Sequence, residues 1–447
     1  AMLPFSLILT DHGRVAGRTG MGAIMGSKKV QAIAVEGRHK IPISQPSVFS
    51  AMRTESNRQL REDPMTLVAR ATGTAGVADY FDYLRSMPKK YYALGAFDGV
   101  EKISGSTMAE TMLKGVSACH GCVIACGRVV SLNGNEQPDK RRKGPEYETV
   151  VGFGPNLLNN DLELIVRMGE LCDRYGIDTI SASNIIGLAF LLFEKGLLTS
   201  HDTGGLALRW GDMEAVEILL TQMVFRQGVG AWLAEGARSL AERFGHPELA
   251  VEVNNLEAAY HDPRGVSGMA LVYATSPRGA CHNQSDYFFV DIGQFDASLG
   301  LGVYDRQGGP EKASNVMRHQ NWRTLVNSLI LCFFANIPPE SIVGLLSSVD
   351  DIYDNMGLVD LLRCGERGWT IKRVINNRLG LTRSNDRLPV RFLKPYEDNP
   401  VGANGYVPDF SVMLDSYYRV RGWDTHTGYP TEEKLVELGL DWVIKDL

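Results

Sequence analysis

Apolar and polar positions follow two rhythms along this chain, and the rhythm changes near residue 47. Before it, Leu3–Leu9 and Val30–Val35 are short apolar, β-rich runs that predict strands. From Ser47, read as an N-cap, helical spacing takes over, with apolar residues at Val48, Met52 and Leu60. Met65–Ala71 predicts a second helix. Thr74–Leu84 predicts a third, whose Tyr80, Phe81 and Tyr83 read as core packing. Thr107–Ser117 predicts a helix leading into a cysteine-rich loop.

Further on the helical pattern strengthens. Asp161–Tyr175 is amphipathic, with Leu162, Ile165, Val166 and Cys172 on one face and Gly176 closing it. Asp178 is expected to cap Thr179–Lys195, which is apolar almost all round and so predicts a fully buried helix ended by Gly196. Asp212–Arg226 and Val229–Phe244 predict a helix pair joined at Gly228. Asn321–Phe334 is a helix-like apolar run with Cys332 near its end. The part from Pro338 to Leu447 reads as helical and then Pro/Gly-rich, with Gly365-Glu366-Arg367 and Trp369 in its last well-defined helix. No pattern repeats at a fixed period, which argues against a solenoid.

Composition narrows the class. With 447 residues, 44% hydrophobic and 22% charged, the chain is globular, and its length suggests about three domains. A formal charge of −6 without a long basic run argues against nucleic acid as the main partner. The longest apolar runs, Ile185–Phe193 and Leu329–Phe334, are too short to span a bilayer. Leu3–Leu9 lacks the flanks of a signal peptide. Seven cysteines is an odd count, so reduced thiols and a cytoplasmic location are expected.

The chemistry concentrates in a few stretches. Cys119-His120-Gly121-Cys122-Val123-Ile124-Ala125-Cys126 has the spacing C-x2-C-x3-C. Thiolates suit iron and zinc. Three close cysteines plus a distant one can hold the corners of a cuboidal iron–sulfur cluster. Zinc, which favours paired cysteines, and chance burial are the other readings. Gly121 and Gly127 give the loop the backbone freedom that wrapping a metal needs. Upstream, Gly13–Lys28 carries five glycines with Arg14, Arg18 and Lys28, which reads either as a phosphate-approaching loop or as a flexible inter-strand connection. Lys140–Lys143 is a basic run, ordinarily a solvated face, directly before Gly144-Pro145-Glu146-Tyr147-Glu148-Thr149. His261–Gly265 and Tyr273–His282 gather small residues, two arginines and a Cys-His pair around a turn.

In identity and in order these pieces resemble the tungsten-dependent aldehyde:ferredoxin oxidoreductase family. The resemblance rests on Arg14–Gly22 with Met25–Lys28, the three cysteines, Gly144–Thr149, Leu171–Ser181, Tyr273–His282 and Gly365–Arg367. It implies a mainly α fold of two helical domains, residues 46–255 and 256–447, preceded by the tail of a β-rich tungstopterin-binding domain in residues 1–45. The chain reads either as such an oxidoreductase or as its C-terminal fragment, and a fragment without the covering front domain is expected to lack tungstopterin. The resemblance implies a [4Fe–4S] cluster on Cys119, Cys122, Cys126 and Cys332, and tungsten (or molybdenum) held between two pyranopterins. Asp173, Ile177 and Asp178 match the first pterin motif. A carboxylate there can accept the paired N–H donors of a pterin edge. Arg14, Ala16, Gly17 and Arg18 match the loop near a pterin phosphate, and Leu331 belongs to the second pterin motif. Glu148 and His282 fall where the family keeps an acid/base pair, a combination suited to water activation.

The implied activity is oxidation of small aldehydes to carboxylates, with electrons passing through the cluster to ferredoxin or an iron–sulfur partner subunit in an oligomer. Both redox centres are expected to be buried. Two alternatives accompany it: the catalytic subunit of a benzoyl-CoA (aryl-CoA) reductase, and a non-catalytic iron–sulfur module. The sequence departs from the family at three points. Asn327-Ser328-Leu329-Ile330-Leu331-Cys332 replaces Asp-x-x-Gly-Leu-Cys, Gln284 replaces a basic residue, and Arg167-Met168-Gly169-Glu170 replaces the Glu-x-x-His of a bridging iron site. No such iron is expected.

Overall fold

The computed structural model describes residues 2–10, 13–132 and 140–446. Its first segment is gripped by the middle of the chain. Leu3, Phe5, Ser6 and Leu7 are buried. The Leu7 N–H donates to Gly176 O at 2.9 Å and the Asp178 N–H to Phe5 O at 3.0 Å, with Ser6 bridged to Ile177. Regular strand is confined to β1 (Ile8–Thr10), antiparallel to β2 (Arg14–Ala16) in the register Ile8↔Ala16. The glycine-rich run is therefore a hairpin arm followed by α1 (Met21–Ser27), not a flexible connection. Residues 30–35 form no strand; Val30, Ile33 and Val35 are exposed, and no described segment pairs with them.

The body is helical: α2 (Pro46–Glu62), α3 (Pro64–Thr72), α4 (Ala78–Tyr83), α5 (Gly105–Thr111), α6 (Tyr147–Phe153), α7 (Leu162–Tyr175), α8 (Thr179–Glu194) and α9 (Met213–Phe225). Then come α10 (Gly230–Leu233), α11 (Ala237–Arg243), α12 (Gly268–Thr275), α13 (Phe288–Asp291), α14 (Ala313–Ser328), α15 (Pro339–Val349), α16 (Leu358–Arg378), α17 (Phe410–Arg421) and α18 (Glu432–Glu437). One hydrophobic core runs from Leu3 to Trp423. A small second one, around Val374, Leu435 and Leu440, secures the C-terminal turn.

Several boundaries follow from caps. Asp161, Asp178 and Asp212 each accept backbone N–H groups in the first turns of α7, α8 and α9. Gly176 ends α7 in the left-handed conformation at φ +68°. Ser47 is not a cap, because Pro46 already occupies the first helical position.

Other expectations fail for physical reasons. Residues 113–117 leave the helix as β3 (Leu113–Ser117), paired with β4 (Gly127–Val130), which also pairs with β5 (Arg142–Lys143). The cysteine loop is thus the tip of a hairpin. Gly236, at φ +95°, breaks the helix expected over 229–244. The helix expected over 321–334 starts earlier and stops at Ser328, leaving Cys332 in a loop. Of the aromatic trio only Phe81 is buried; Tyr80 and Tyr83 are exposed. The basic run is also not merely solvated. Lys140 and Arg142 pair with Glu170, and Lys143 with Asp173. Its neighbours Gly134 and Asn135 lie outside the described residues.

Helices α14 and α16 cross so closely that a Cβ on Gly365 would sit 2.0 Å from Asn321 O. That contact accounts for the glycine of Gly365-Glu366-Arg367. Gly365→Ala should destabilise the protein by about 1–3 kcal/mol through overpacking. A lowered thermal midpoint checks it, with Gly37→Ala, where nothing lies within 4 Å, as the neutral comparison.

Candidate functional site

Every residue of α6 is buried, Glu148 included. Its Oε2 accepts the Tyr260 N–H at 2.9 Å. Its Oε1 lies 3.4 Å from His261 Nε2 and 3.6 Å from His282 Nδ1. Burial raises the Glu148 pKa to about 8, against the lowering effects of the Tyr260 N–H and the Arg18 guanidinium. Burial pushes His261 down to about 3. It holds His282 well below the usual histidine range, helped by His261, Arg18 and Arg278. Burial thus favours the carboxylic acid form of Glu148 and the neutral form of both imidazoles.

Arg18 reaches this box from the N-terminal hairpin in a left-handed backbone conformation, φ +62°. It donates to Ala280 O at 2.9 Å and to Glu257 O, and pairs with Asp178 at 3.6 Å. It thus pins the turn that ends in His282. Asp178 caps α8 through Ser181 N at 2.9 Å, while half-buried Asp173 pairs with Lys143 at 3.4 Å. Arg14, Gly17, Arg18, Asp173 and Asp178 all line one cavity of about 750 Å³, together with Glu148, His261 and His282. Ala16 is exposed and Ile177 buried, and neither lines it. Leu331 is half-buried against the core and also stands outside it.

The thiols lie beside the same cavity. Cys122 N–H donates to Cys119 O at 3.1 Å, and Ile124 N–H to Cys122 Sγ at 3.3 Å, so the loop curls around its own sulfurs. Gly121 takes φ +69°, which supports the expectation of backbone freedom there; Gly127 is simply in β4. Cys332 is near enough to feel the charges of Cys119 and Cys122, and Cys126 that of Cys332. Arg14 joins the two regions, with Nη1 3.1 Å from Glu146 Oε1 and Nη2 3.6 Å from Cys126 Sγ. The expected burial of the cluster site is only partly met, because Cys119 and Cys332 are exposed while Cys122 and Cys126 are half-buried.

These residues fit the groups the family implies. Four separated thiols suit the distinct corners of a cluster. The cavity carries buried polar atoms without hydrogen-bond partners, among them Glu148 Oε1, His282 Nδ1, Arg18 Nε and Arg278 Nε. Such unpaired atoms are costly unless a polar ligand meets them.

Sequence reasoning missed His261 as a member of the site. It had marked the His261–Gly265 stretch as chemically rich, but contact with Glu148, 113 positions earlier, leaves no trace in spacing.

A helical body thus carries a loop of three cysteines near a fourth and a cavity with buried polar groups, bridged by Arg14. Family-level comparison narrows this. The model of the aldehyde ferredoxin oxidoreductase domains 2 and 3 matches residues 51–440, and that of the N-terminal domain of the same enzymes matches residues 1–37. The tungsten-containing aldehyde ferredoxin oxidoreductase of Thermococcus kodakarensis is 34% identical over 98% of this chain and 71% of its own length. That of Pyrococcus furiosus is 35% identical over the same shares. The chain belongs to the aldehyde ferredoxin oxidoreductase family. The WOR-like subunit of an aliphatic sulfonate oxidoreductase from Pyrococcus furiosus is 27% identical over 98% of this chain and 68% of its own length. Among solved structures, the BamBC active-site complex of benzoyl coenzyme A reductase with 1,5-dienoyl-CoA shares the fold, at TM-score 0.76 and 20% identity. The match covers 99% of this chain and 72% of that one. No described helix is long and apolar enough to cross a membrane.

Cys122→Ser should remove the cluster: iron bound per chain, measured after anaerobic purification, is expected to fall to near zero. Unchanged iron content in that variant would sink the assignment of the thiols.

Proposed function

We propose that the protein oxidises aldehydes to carboxylates and passes the electrons through a [4Fe–4S] cluster to ferredoxin or an iron–sulfur partner subunit. The observation that carries this reading is the Glu148–His282 pair facing a cavity that Arg14 links to the thiol loop. Kinship with tungsten-containing aldehyde ferredoxin oxidoreductases supports the substrate class. On this reading Cys119, Cys122, Cys126 and Cys332 hold the cluster. Asp173, Asp178 and the Arg14–Arg18 segment hold the tungstopterin. When bound, these groups supply the two-electron acceptor and the outlet for its electrons.

The chain's own residues handle protons. Aldehyde plus water gives carboxylate, three protons and two electrons, so the site must take protons from water. Glu148 Oε1 is the base for that transfer, and His282 Nδ1, 3.6 Å away, is its partner in the pair. The rings of Phe81, Phe288 and Phe289 on the cavity wall keep bulk water from the carboxyl.

A second reading, reduction of an aryl thioester, is favoured by the same aromatic wall together with Phe295, Phe333 and Phe334, which suit a planar ring. Anaerobic assays separate the two. A free aldehyde is expected to reduce the metal centre, and an aromatic coenzyme A thioester to leave its spectrum unchanged; the reverse result selects the second reading.

Glu148→Gln and His282→Asn should each keep fold and iron content while lowering kcat by about 10²–10⁴-fold. Full activity in either would remove that residue's role. Because a base must be ionised and burial sets Glu148 near 8, kcat/KM should rise with pH through about 8 and level off above it.

A further inference from the structure

Glu148 has a second neighbour that the acid/base pair does not use. His261 lies closer to Oε1 than His282 does, 3.4 against 3.6 Å, and deeper, its side chain 4% exposed against 12%. Its ring cannot turn. Phe288 stacks on one face with centroids 3.7 Å apart and planes 7° from parallel. Tyr147 lies 4.8 Å away at 18°, and Phe81 closes the edge at 5.0 Å. The His261 N–H donates to Tyr273 Oη at 3.3 Å, fixing the backbone as well. Phe288 is itself anchored, because Asp291 at the end of α13 pairs with buried Lys312 at 2.6 Å. An imidazole clamped this firmly, with one nitrogen aimed at a buried carboxyl, is built to hold that carboxyl's geometry.

We propose that His261 is a positioning residue for the acid/base pair. Its fixed Nε2, 3.4 Å from Oε1, holds the Glu148 carboxyl facing both the cavity and His282, and accepts a hydrogen bond from the O–H that Glu148 gains on protonation. The inference rests on the reading of Glu148 and His282 as the proton-handling pair. The bookkeeping of the proton is simple: Glu148 carboxylate takes H⁺ from water to become the acid, and the new O–H points to the His261 lone pair.

The other groups facing the carboxyl do not substitute for His261. Arg18, from the N-terminal hairpin, favours the carboxylate, and Asp178, at the cap of α8, favours the acid. The Tyr260 N–H already occupies Oε2. The phenols of Tyr92, Tyr147, Tyr260 and Tyr273 feel the same charge, and burial holds each far above the range in which it would titrate. Arg278 acts on His282 and not on the carboxyl. With His261 kept neutral by burial, the acceptor is present at every pH above about 3.

The test is His261→Phe, which keeps the aromatic stack and removes both nitrogens, compared with His261→Gln, whose amide oxygen can still accept a hydrogen bond. The titration of the Glu148 carboxylic C=O band is followed by infrared difference spectroscopy on the purified protein, its assignment made by loss of the band in Glu148→Gln. This readout does not depend on tungsten loading or turnover. In His261→Phe the midpoint is expected to fall, because the protonated form loses its acceptor, with His261→Gln closer to the unaltered protein. In active enzyme kcat should drop roughly ten- to hundredfold in the Phe variant, with KM little changed. An unchanged or raised midpoint in His261→Phe, at unaltered thermal stability, overturns the proposal. A shifted midpoint in His261→Phe alongside full turnover in Glu148→Gln keeps the placement of His261 and overturns the acid/base reading instead.

Discussion

The structure turns on the cost of keeping one carboxyl group dry. Removing an ionised carboxylate from water costs several kcal/mol even after relaxation, and burial raises the Glu148 pKa toward the form that avoids that cost. Everything around Glu148 serves this. All of α6 is buried, α8 is apolar nearly all round, and the rings of Tyr147, Phe81 and Phe288 close the space beside His261. Among the described residues the cation that reaches the carboxyl is Arg18, already balanced by Asp178 and two backbone carbonyls, so it lowers the Glu148 pKa without overcoming burial. Arg18 comes from outside the helical body. The N-terminal hairpin is therefore part of the site and not an appendage to it.

The separation between the His282 turn and Cys332 is set by α14. Lys312, just before its first turn, holds Asp291 of α13. His319 meets Ser285 Oγ at 2.7 Å, and Arg323 pairs with Asp286 through both carboxylate oxygens, immediately after the His282 turn. Four residues past its end comes Cys332. On its other side Gln320 and Asn321 accept from buried Arg421, and Asn321 O lies against Gly365. A rigid rod gripped on both sides holds two sites in register better than a loop can.

Much of this was legible in the sequence where the cause is local. An aspartate before an apolar run is a cap, and Asp161, Asp178 and Asp212 behave as such. The cysteine spacing, the cavity arginines and Glu148 with His282 also stood out as residues. What the sequence hid is pairing at a distance. Leu113–Ser117 has helical neighbours and becomes a strand because Gly127–Val130, beyond the cysteine loop, offers it a partner. Val30–Val35 has strand composition, and no described segment pairs with it. His261 is the sharpest case. Its importance lies in what stacks on it, from three separate elements, and no periodicity encodes that.

The altered motif before Cys332 shows which of its features the fold depends on. Asn327 stands where the family pattern has a carboxylate, and it is exposed. Ile330 stands where the pattern has glycine, yet its backbone still takes φ +57°, the left-handed region that a β-branched residue enters at a cost of about 1–2 kcal/mol. Its side chain is 92% exposed, so no packing offsets that cost. The turn persists because its ends are tied: the Ile330 N–H donates to Asn327 O at 3.1 Å and the Leu331 N–H to Val326 O at 3.0 Å, closing α14. That closure directs the chain toward the thiol loop. The backbone turn that places Cys332 thus forms without either the carboxylate or the glycine of the family pattern.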